Sequence, residues 1–260
     1  MHRRRGGDGG HDDDMPVDTA ALNRLARRQG GALARSQVLA AGGTSSWLRG
    51  RVRQRQWQRP HPGVYVVFTG PLPWRARTWA GVLYAGAGAV LGYEAAGHDA
   101  GLLARAPGTV DVLVPASRMV RPQPGLRMHS RTHLVRDQLL ATPPRTRLEP
   151  TVLDLVSRCA DVDAVVATVT AGVRRGASPE GLLEMLADQV RHRWRRALLD
   201  VLADADLGVE STLEWHFHHG VERRHGPSPG RAPVAPQGGR PVDPRRPQVP
   251  AVSAAGRAGW

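Results

Sequence analysis

The chain has 260 residues, enough for one large domain or two small ones with a core that needs no disulfide or metal support. All 36 basic residues are arginine and the formal net charge is +13, which favours polyanionic partners, with nucleic acid first among them. Cys159 is the single cysteine, which excludes an intrachain disulfide and a multi-cysteine metal site and suits a reducing cytoplasm. We interpret Cys159 as a small thiol that faces the core.

The sequence contains neither a signal peptide for export nor a segment that could span a membrane. Residues 1–16 combine Gly, Asp, Arg and His without apolar periodicity and predict a disordered leader that lacks the apolar core of a signal peptide. The longest apolar run, residues 81–97, is interrupted by glycines and contains Glu94, so no membrane span is predicted. We expect a cytoplasmic protein that does not contact membranes.

Residues 17–70 predict three short helices followed by a β-hairpin. Asp18 is a natural N-cap for the first helix, Ser36 lies at the start of the second, and Thr44 or Ser45 caps the third. This is the start of a helix-turn-helix pattern, in which the third helix is the one that meets DNA.

The hairpin follows directly, because Pro60 and Pro62 exclude a helix while the apolar run Val64–Val67 favours a strand. Three helices and then a hairpin is the order of winged helix-turn-helix DNA-binding domains. We interpret Trp57 as a core residue under the hairpin, in preference to a base-stacking residue.

The third predicted helix, residues 45–55, carries the densest run of arginines. Leu48 and Val52 form a narrow docking face, flanked by Arg51 and Arg55, and the other side is polar. In a winged helix this element enters the major groove, where arginine pairs with guanine and glutamine with adenine, and the hairpin meets the backbone or minor groove. The competing interpretation is a solvated basic helix. The predicted DNA-binding residues are Ser46, Arg49, Arg51, Arg53, Gln54, Arg55, Arg59 and His61.

Residues 74–225 predict a helix-rich α+β domain. A helix near 75–85 precedes two strands, "TVDVLVPA" and "GLRMHSR", and three helices follow at about 151–175, 178–190 and 192–205. Residues 226–260 contain no Leu, Ile or Phe and many prolines, which predicts a disordered Pro/Arg-rich tail. That tail has three possible origins: a linker, a basic nucleic-acid-binding segment, or an out-of-frame translation of GC-rich DNA.

The remaining candidate sites are weak. His98 and Asp99 are adjacent acid–base groups without a placed nucleophile or second carboxylate. The glycines of "GAGAVLG" lack the later acidic residue of a dinucleotide fingerprint. Four histidines near residue 220 lack the arrangement that zinc requires and are interpreted as surface residues, namely His216, His218, His219 and His225. The sequence therefore predicts no enzyme, no metal site and no cofactor.

The segment from Leu25 to Val67 resembles the N-terminal winged helix of the AbiEi-type antitoxins, which belong to type IV (abortive-infection) toxin–antitoxin systems. Its most specific part is Gln56–Tyr65, "QWQRPHPGVY". Later segments, "VDVLVPA" and "TPPRTRLEPTVLDLV" among them, are similar to the rest of the same actinobacterial proteins, so the resemblance covers about residues 17–225.

This resemblance implies a DNA-binding antitoxin that represses its own operon by binding duplex operator DNA through the N-terminal domain. It also implies a functional antagonist of a nucleotidyltransferase-like toxin, whose action the antitoxin opposes without necessarily touching it. The chain departs from the family at Gln54 and Arg55, where a Ser-Gly turn is frequent, and at Gly50, which costs a helix about 1 kcal/mol relative to alanine.

Many such actinobacterial proteins also look as if they end in a domain similar to very-short-patch-repair nucleases, with a restriction-endonuclease fold. The helix that opens that domain is matched here by Glu210, Ser211, Leu213 and Glu214. The same Ser-x-x-Glu spacing has a structural explanation as a capping box. Asp243 is the only acidic residue after Glu222, so the carboxylates that bind catalytic metal cannot be assembled. The alternative function is thus a truncated or frameshifted remnant of a nuclease-related protein.

Overall fold

The computed structural model describes residues 17–189 and 191–205, and these form a mixed α+β structure, as predicted. Three predictions lie outside these residues: the leader 1–16, the helix at Ser211 with its histidines and nuclease-like motif, and the tail 226–260. In the part of the chain that the structure describes, every helix is too short or too polar to cross a membrane.

The N-terminal subdomain, residues 17–70, contains three helices and a small antiparallel sheet of strand order β1-β3-β2. The sequence does not predict β1, which has three residues and no periodicity of its own and forms because it pairs with β3. Its elements in chain order are α1 Thr19–Arg28, β1 Ala32–Ala34, α2 Arg35–Ala40, α3 Ser45–Arg53, β2 Gln58–His61 and β3 Val64–Val66.

Side-chain caps fix the starts of two of these helices. Asp18 Oδ1 accepts a hydrogen bond from the Ala21 N–H at 2.8 Å, and Thr44 Oγ1 accepts one from the Trp47 N–H at 3.1 Å. Both predicted caps are confirmed. The helices then enclose one apolar cluster with the sheet, formed by Leu22, Ala26, Leu33, Val38, Leu48 and Tyr65.

Helix α4, Trp74–Ala85, joins the two sheets of the described chain, and it begins within one residue of its predicted start. Ala80 packs against the β1–β3 strands, while Val82 and Ala85 pack against a second, five-stranded sheet. That sheet has strand order β6-β5-β4-β8-β7. Its elements are β4 Val90–Leu91, α5 Tyr93–Asp99, β5 Val110–Pro115, β6 Leu126–Arg131, α6 Leu134–Asp137, β7 Gln138–Leu139 and β8 Arg145–Thr146.

The two strands that the sequence predicts here, β5 and β6, pair in parallel with Asp111 opposite Arg127. Because parallel neighbours bring residues of distant sequence to the same level of the sheet, polar groups of both strands meet. β5 is an inner strand between β6 and β4, and its apolar residues are buried on both faces as in a covered strand.

Four helices, not the predicted three, complete the fold: α7 Leu148–Ser157, α8 Val162–Arg174, α9 Pro179–Asp188 and α10 Arg195–Ala205. The predicted single helix 151–175 is wrong because Asp161 caps a new helix, with its Oδ1 accepting from the Ala164 N–H at 2.8 Å. Cys159 lies in the break between the two helices, partly buried against the core of this layer.

Candidate nucleic-acid interface

Helix α3 docks through the residues that its sequence predicts. Leu48 is 1% exposed within the N-terminal core, and Val52 packs beside it. Trp47 meets Trp57 edge to face, with ring centroids 5.2 Å apart. Trp57 packs against the same core, in agreement with its interpretation as a residue under the hairpin.

The side of α3 away from this core is polar and open to solvent. Ser46, Arg49 and Arg53 are exposed there, and a Cβ added at Gly50 between them would have no atom within 4 Å apart from its chain neighbours and the helix backbone. A groove of DNA approaching this face would meet guanidinium and hydroxyl groups first.

Arg51 differs from the other arginines of the helix because its guanidinium group contacts other side chains of the protein. Its Nη1 donates to Gln56 Oε1 at 2.5 Å, and its guanidinium carbon lies 4.7 Å from the centroid of the Trp47 ring. The sequence predicts Arg51 as a DNA contact. In the structure Arg51 is partly buried and connects α3 to the turn that follows it.

Helix α3 ends at Arg53, two residues before the predicted end. Arg55 adopts a left-handed conformation with φ +55°. The Arg55 N–H donates to the Val52 carbonyl and the Gln56 N–H to the Arg51 carbonyl, both at 3.0 Å, which is the Schellman closure of a helix. Gln54 and Arg55 are exposed in this turn and not on the helix. Glycine is usual at the position of Arg55, because glycine adopts the left-handed conformation without a Cβ clash.

Arg55→Gly is expected to raise the free energy of unfolding by about 0.5–1 kcal/mol, because glycine adopts the left-handed conformation without a Cβ clash. Arg53→Gly, which removes the same charge from inside the helix, should instead lower it by about 1 kcal/mol. Urea unfolding of both variants checks the signs. A loss of stability in Arg55→Gly would contradict the assignment of this turn.

The hairpin places its two predicted contact residues on opposite sides. Arg59 is exposed, whereas His61 is 9% exposed and its ring centroid lies 5.6 Å from that of Tyr84 on α4. The register shifts by one residue between Gln58 and His61, and such a bulge turns the following side chains to the other face. Burial lowers the pKa of His61, which favours the neutral ring. His61, which the sequence predicts as a DNA contact, therefore lies against α4 and not on the exposed side of the hairpin with Arg59.

Arg35 is a cation of this surface that the sequence alone does not single out. Its backbone N–H donates to the Gly63 carbonyl in the hairpin turn at 2.7 Å. Its guanidinium donates to Ser45 Oγ at the start of α3, also at 2.7 Å. Arg35 thus connects the hairpin turn to the first turn of α3, and only these two long-range contacts identify it.

We call the resulting patch the arginine surface, and its members are all exposed. Within the described residues, none of its guanidinium groups pairs with a carboxylate, so its positive potential is not neutralised locally. The members are Arg35, Ser46, Arg49, Arg53, Gln54, Arg55 and Arg59.

A second concentration of charge lies inside the larger sheet around Asp111, which is 1% exposed. Its Oδ1 accepts from His129 Nε2 at 2.7 Å and from Arg158 Nη2 at 3.1 Å, and Arg158 also bonds Glu94. Burial raises the pKa of Asp111, but these hydrogen bonds outweigh it and lower the pKa to about 2. For Glu94, burial dominates and raises the pKa.

We interpret the Asp111 group as an ion network that ties β5, β6, α5 and α7 together. His98 and Asp99 have different partners. His98 Nδ1 lies 2.8 Å from the Leu103 carbonyl, and Asp99 pairs with Arg145 at 3.2 Å. Across the described ranges, no group of three or more His, Cys, Asp or Glu side chains is placed to hold a metal ion.

Among known proteins, no family model matches the chain, and no curated protein matches it significantly.

Proposed function

We propose that the protein is a DNA-binding protein of the winged helix-turn-helix type that acts as a transcriptional autorepressor and antitoxin. The observation that carries the proposal is the arrangement of α3, which buries Leu48 against the core and presents Ser46, Arg49 and Arg53 outward beside the hairpin. The order α1-β1-α2-α3-β2-β3 with a three-stranded sheet supports it, because winged helices combine these elements.

In the proposed complex α3 lies in the major groove. Arg49 and Arg53 pair with guanine edges, and Gln54 is suited to adenine. Arg59 of the hairpin and Arg35 beside it contact the phosphate backbone, which sets the register of the protein without reading sequence. Arg51 holds α3 and its closing turn in place and is a positioning residue.

The regulatory part of the proposal rests on the sequence resemblance. The DNA target is then the protein's own operator, the activity is binding without catalysis, and the location is the cytoplasm. The chain opposes a nucleotidyltransferase-like toxin. Co-expression tests this part: the chain should restore growth of cells that produce a nucleotidyltransferase-like toxin from the adjacent gene. Absence of rescue would contradict the antitoxin role and leave the DNA-binding role to be judged by titration.

The DNA-binding part is tested by fluorescence anisotropy with duplex DNA from upstream of the gene. We expect affinity to fall steeply with salt, because arginine contacts release counterions. The double variant Arg49→Ala with Arg53→Ala should weaken binding by about ten-fold or more, since each good base contact contributes about 1–3 kcal/mol.

The matched control is Arg105→Ala with Arg196→Ala, which removes two exposed arginines outside the arginine surface. It should leave specific affinity near that of the unaltered chain. Unchanged binding by the Arg49 and Arg53 variant, or an equal loss in the control, would refute the assignment of α3.

A further inference from the structure

Gly50 lies at the centre of the outward side of α3. Leu48 and Val52, which dock the helix, are each two positions from Gly50, or about 200° around the helix axis, so Gly50 lies opposite the docking face. The exposed Ser46 and Arg53 come from the neighbouring turns on the same side. A surface that approaches α3 at this point therefore meets the helix backbone itself.

Packing within the described chain does not require a glycine at this position. Gly50 does not have the left-handed backbone conformation that favours glycine. A Cβ added there would meet no atom within 4 Å apart from its chain neighbours and the helix backbone. By contrast, a Cβ at Gly172 on α8 would lie 2.4 Å from Val152 Cγ2, and one at Gly81 on α4 would lie 3.0 Å from Leu126 Cδ2. Since glycine destabilises the interior of a helix relative to alanine, we look for its reason in what contacts this face.

The backbone at Gly50 forms an apolar recess in the arginine surface. Its carbonyl accepts from the Gln54 N–H at 2.9 Å, and its N–H belongs to the helical ladder, so neither group is available to a ligand. Only C–H groups face outward. The missing Cβ lets an approaching group come nearer to the helix by about 1.5 Å, the length of a carbon–carbon bond. The recess therefore accepts a small apolar group that needs no hydrogen bond.

The edges of bases in the major groove differ in this respect. Guanine and adenine present hydrogen-bonding groups and cytosine presents an amino group, whereas thymine alone presents a methyl group. Arg49 and Arg53 beside the recess are suited to guanine. A thymine methyl is thus the group of the major groove whose size and polarity match the recess.

We propose that Gly50 is the point at which α3 comes closest to the floor of the major groove, and that its recess receives the C5 methyl group of a thymine. The thymine then lies next to the guanines that Arg49 and Arg53 bind. This role of Gly50 rests on the proposed DNA-binding function, and it adds a base preference at a position of α3 that has no side chain.

Fluorescence anisotropy with two duplexes from upstream of the gene tests the proposal. One duplex contains thymine, and the other contains deoxyuridine, which lacks only the C5 methyl group, at every thymine position. The unaltered chain should bind the deoxyuridine duplex about three-fold or more weakly. Gly50→Ala should weaken binding to the thymine duplex by about ten-fold or more, because its Cβ occupies the space of the methyl group. On the deoxyuridine duplex, where that space is free, Gly50→Ala should cost less than about three-fold.

Gly108→Ala is the matched control, since a Cβ added at Gly108 also has open space and Gly108 lies outside the arginine surface. It should bind each duplex as the unaltered chain does. Urea unfolding separates contact from stability: the midpoint of Gly50→Ala should equal or exceed that of the unaltered chain, because alanine favours the helix. A lower midpoint would show that the site is not open and would overturn the proposal.

Two results of the DNA titration would also overturn it. One is binding of Gly50→Ala to the thymine duplex as tightly as the unaltered chain. The other is an equal loss for Gly50→Ala on both duplexes, which would show that no thymine methyl meets Gly50. In both results the unaltered chain still binds DNA and the winged-helix proposal stands. If the unaltered chain binds neither duplex, the winged-helix proposal fails and the role of Gly50 fails with it.

Discussion

Asp111→Ala is expected to lower the free energy of unfolding by about 3–5 kcal/mol, because it removes the carboxylate of a buried ion network and leaves Arg158 with Glu94 as its remaining partner in that network. Asp111 is 1% exposed and accepts from His129 at 2.7 Å and from Arg158 at 3.1 Å. Arg127, at 3.6 Å, also loses its carboxylate partner. Arg127 and Arg158 come from β6 and the end of α7, so the repulsion between them acts on the junction of sheet and helices.

Urea unfolding monitored by circular dichroism measures this effect. Glu184→Ala is the matched control, since it deletes an exposed carboxylate on α9 and should change stability by less than about 0.5 kcal/mol. A loss below about 1 kcal/mol for Asp111→Ala would show that the network is solvated and not buried.

The same network gives stability a defined pH dependence. The folded pKa of Asp111, about 2, is below its usual value of 3.8, so the ionised carboxylate stabilises the folded chain above about pH 4. Most of this stabilisation, about 2–3 kcal/mol for a shift of that size, is lost as the pH falls through 4 toward 2. The decline over this range should be correspondingly smaller in Asp111→Ala.

Leu48→Ala is expected to lower the free energy of unfolding by about 2–5 kcal/mol, the usual cost of removing a fully buried leucine side chain. Leu48 is 1% exposed and is the only fully buried residue of α3. Because it holds the helix against the core, its loss should also weaken DNA binding by releasing α3. This differs from the Arg49 and Arg53 variant, which should weaken binding while stability stays nearly constant.

Leu39→Ala is the matched control for this second prediction. Leu39 lies on α2 in the same subdomain but is 37% exposed, so its truncation removes little buried surface and should cost less than about 1 kcal/mol. Differential scanning calorimetry and DNA titration of both variants provide the comparison. Equal stability losses in the two variants would contradict the docking of α3 through Leu48.

Features that depend on a few adjacent residues follow from the sequence. Asp18 and Thr44 start their helices because each offers a side-chain oxygen to an amide three residues ahead. Leu48 and Val52 dock α3 because four residues are nearly one helical turn. The same reasoning fails for the break at Asp161, where a strong cap interrupts an apolar pattern that continues across it.

Features that depend on distant pairing do not follow from the sequence. His61 points inward because β2 contains a bulge that depends on its pairing with β3. The residues next to His61 in the sequence do not predict this bulge. Arg35 joins the arginine surface through contacts with Gly63 and Ser45. Each of these positions is decided by the three-dimensional register of strands and helices.

By itself the sequence determined the α+β composition, the caps of α1 and α3, the docking face of α3 and the basic character of its outer side, because these follow from local hydrogen bonds and helical periodicity. Only the tertiary structure decided which polar groups meet. Asp111 and Arg158 are 47 residues apart, and Arg131 and Asp154 are 23 apart. Both pairs form because strand β6 lies beside β5 and helix α7 packs near its end. Such contacts carry no signal in the spacing of residues along the chain.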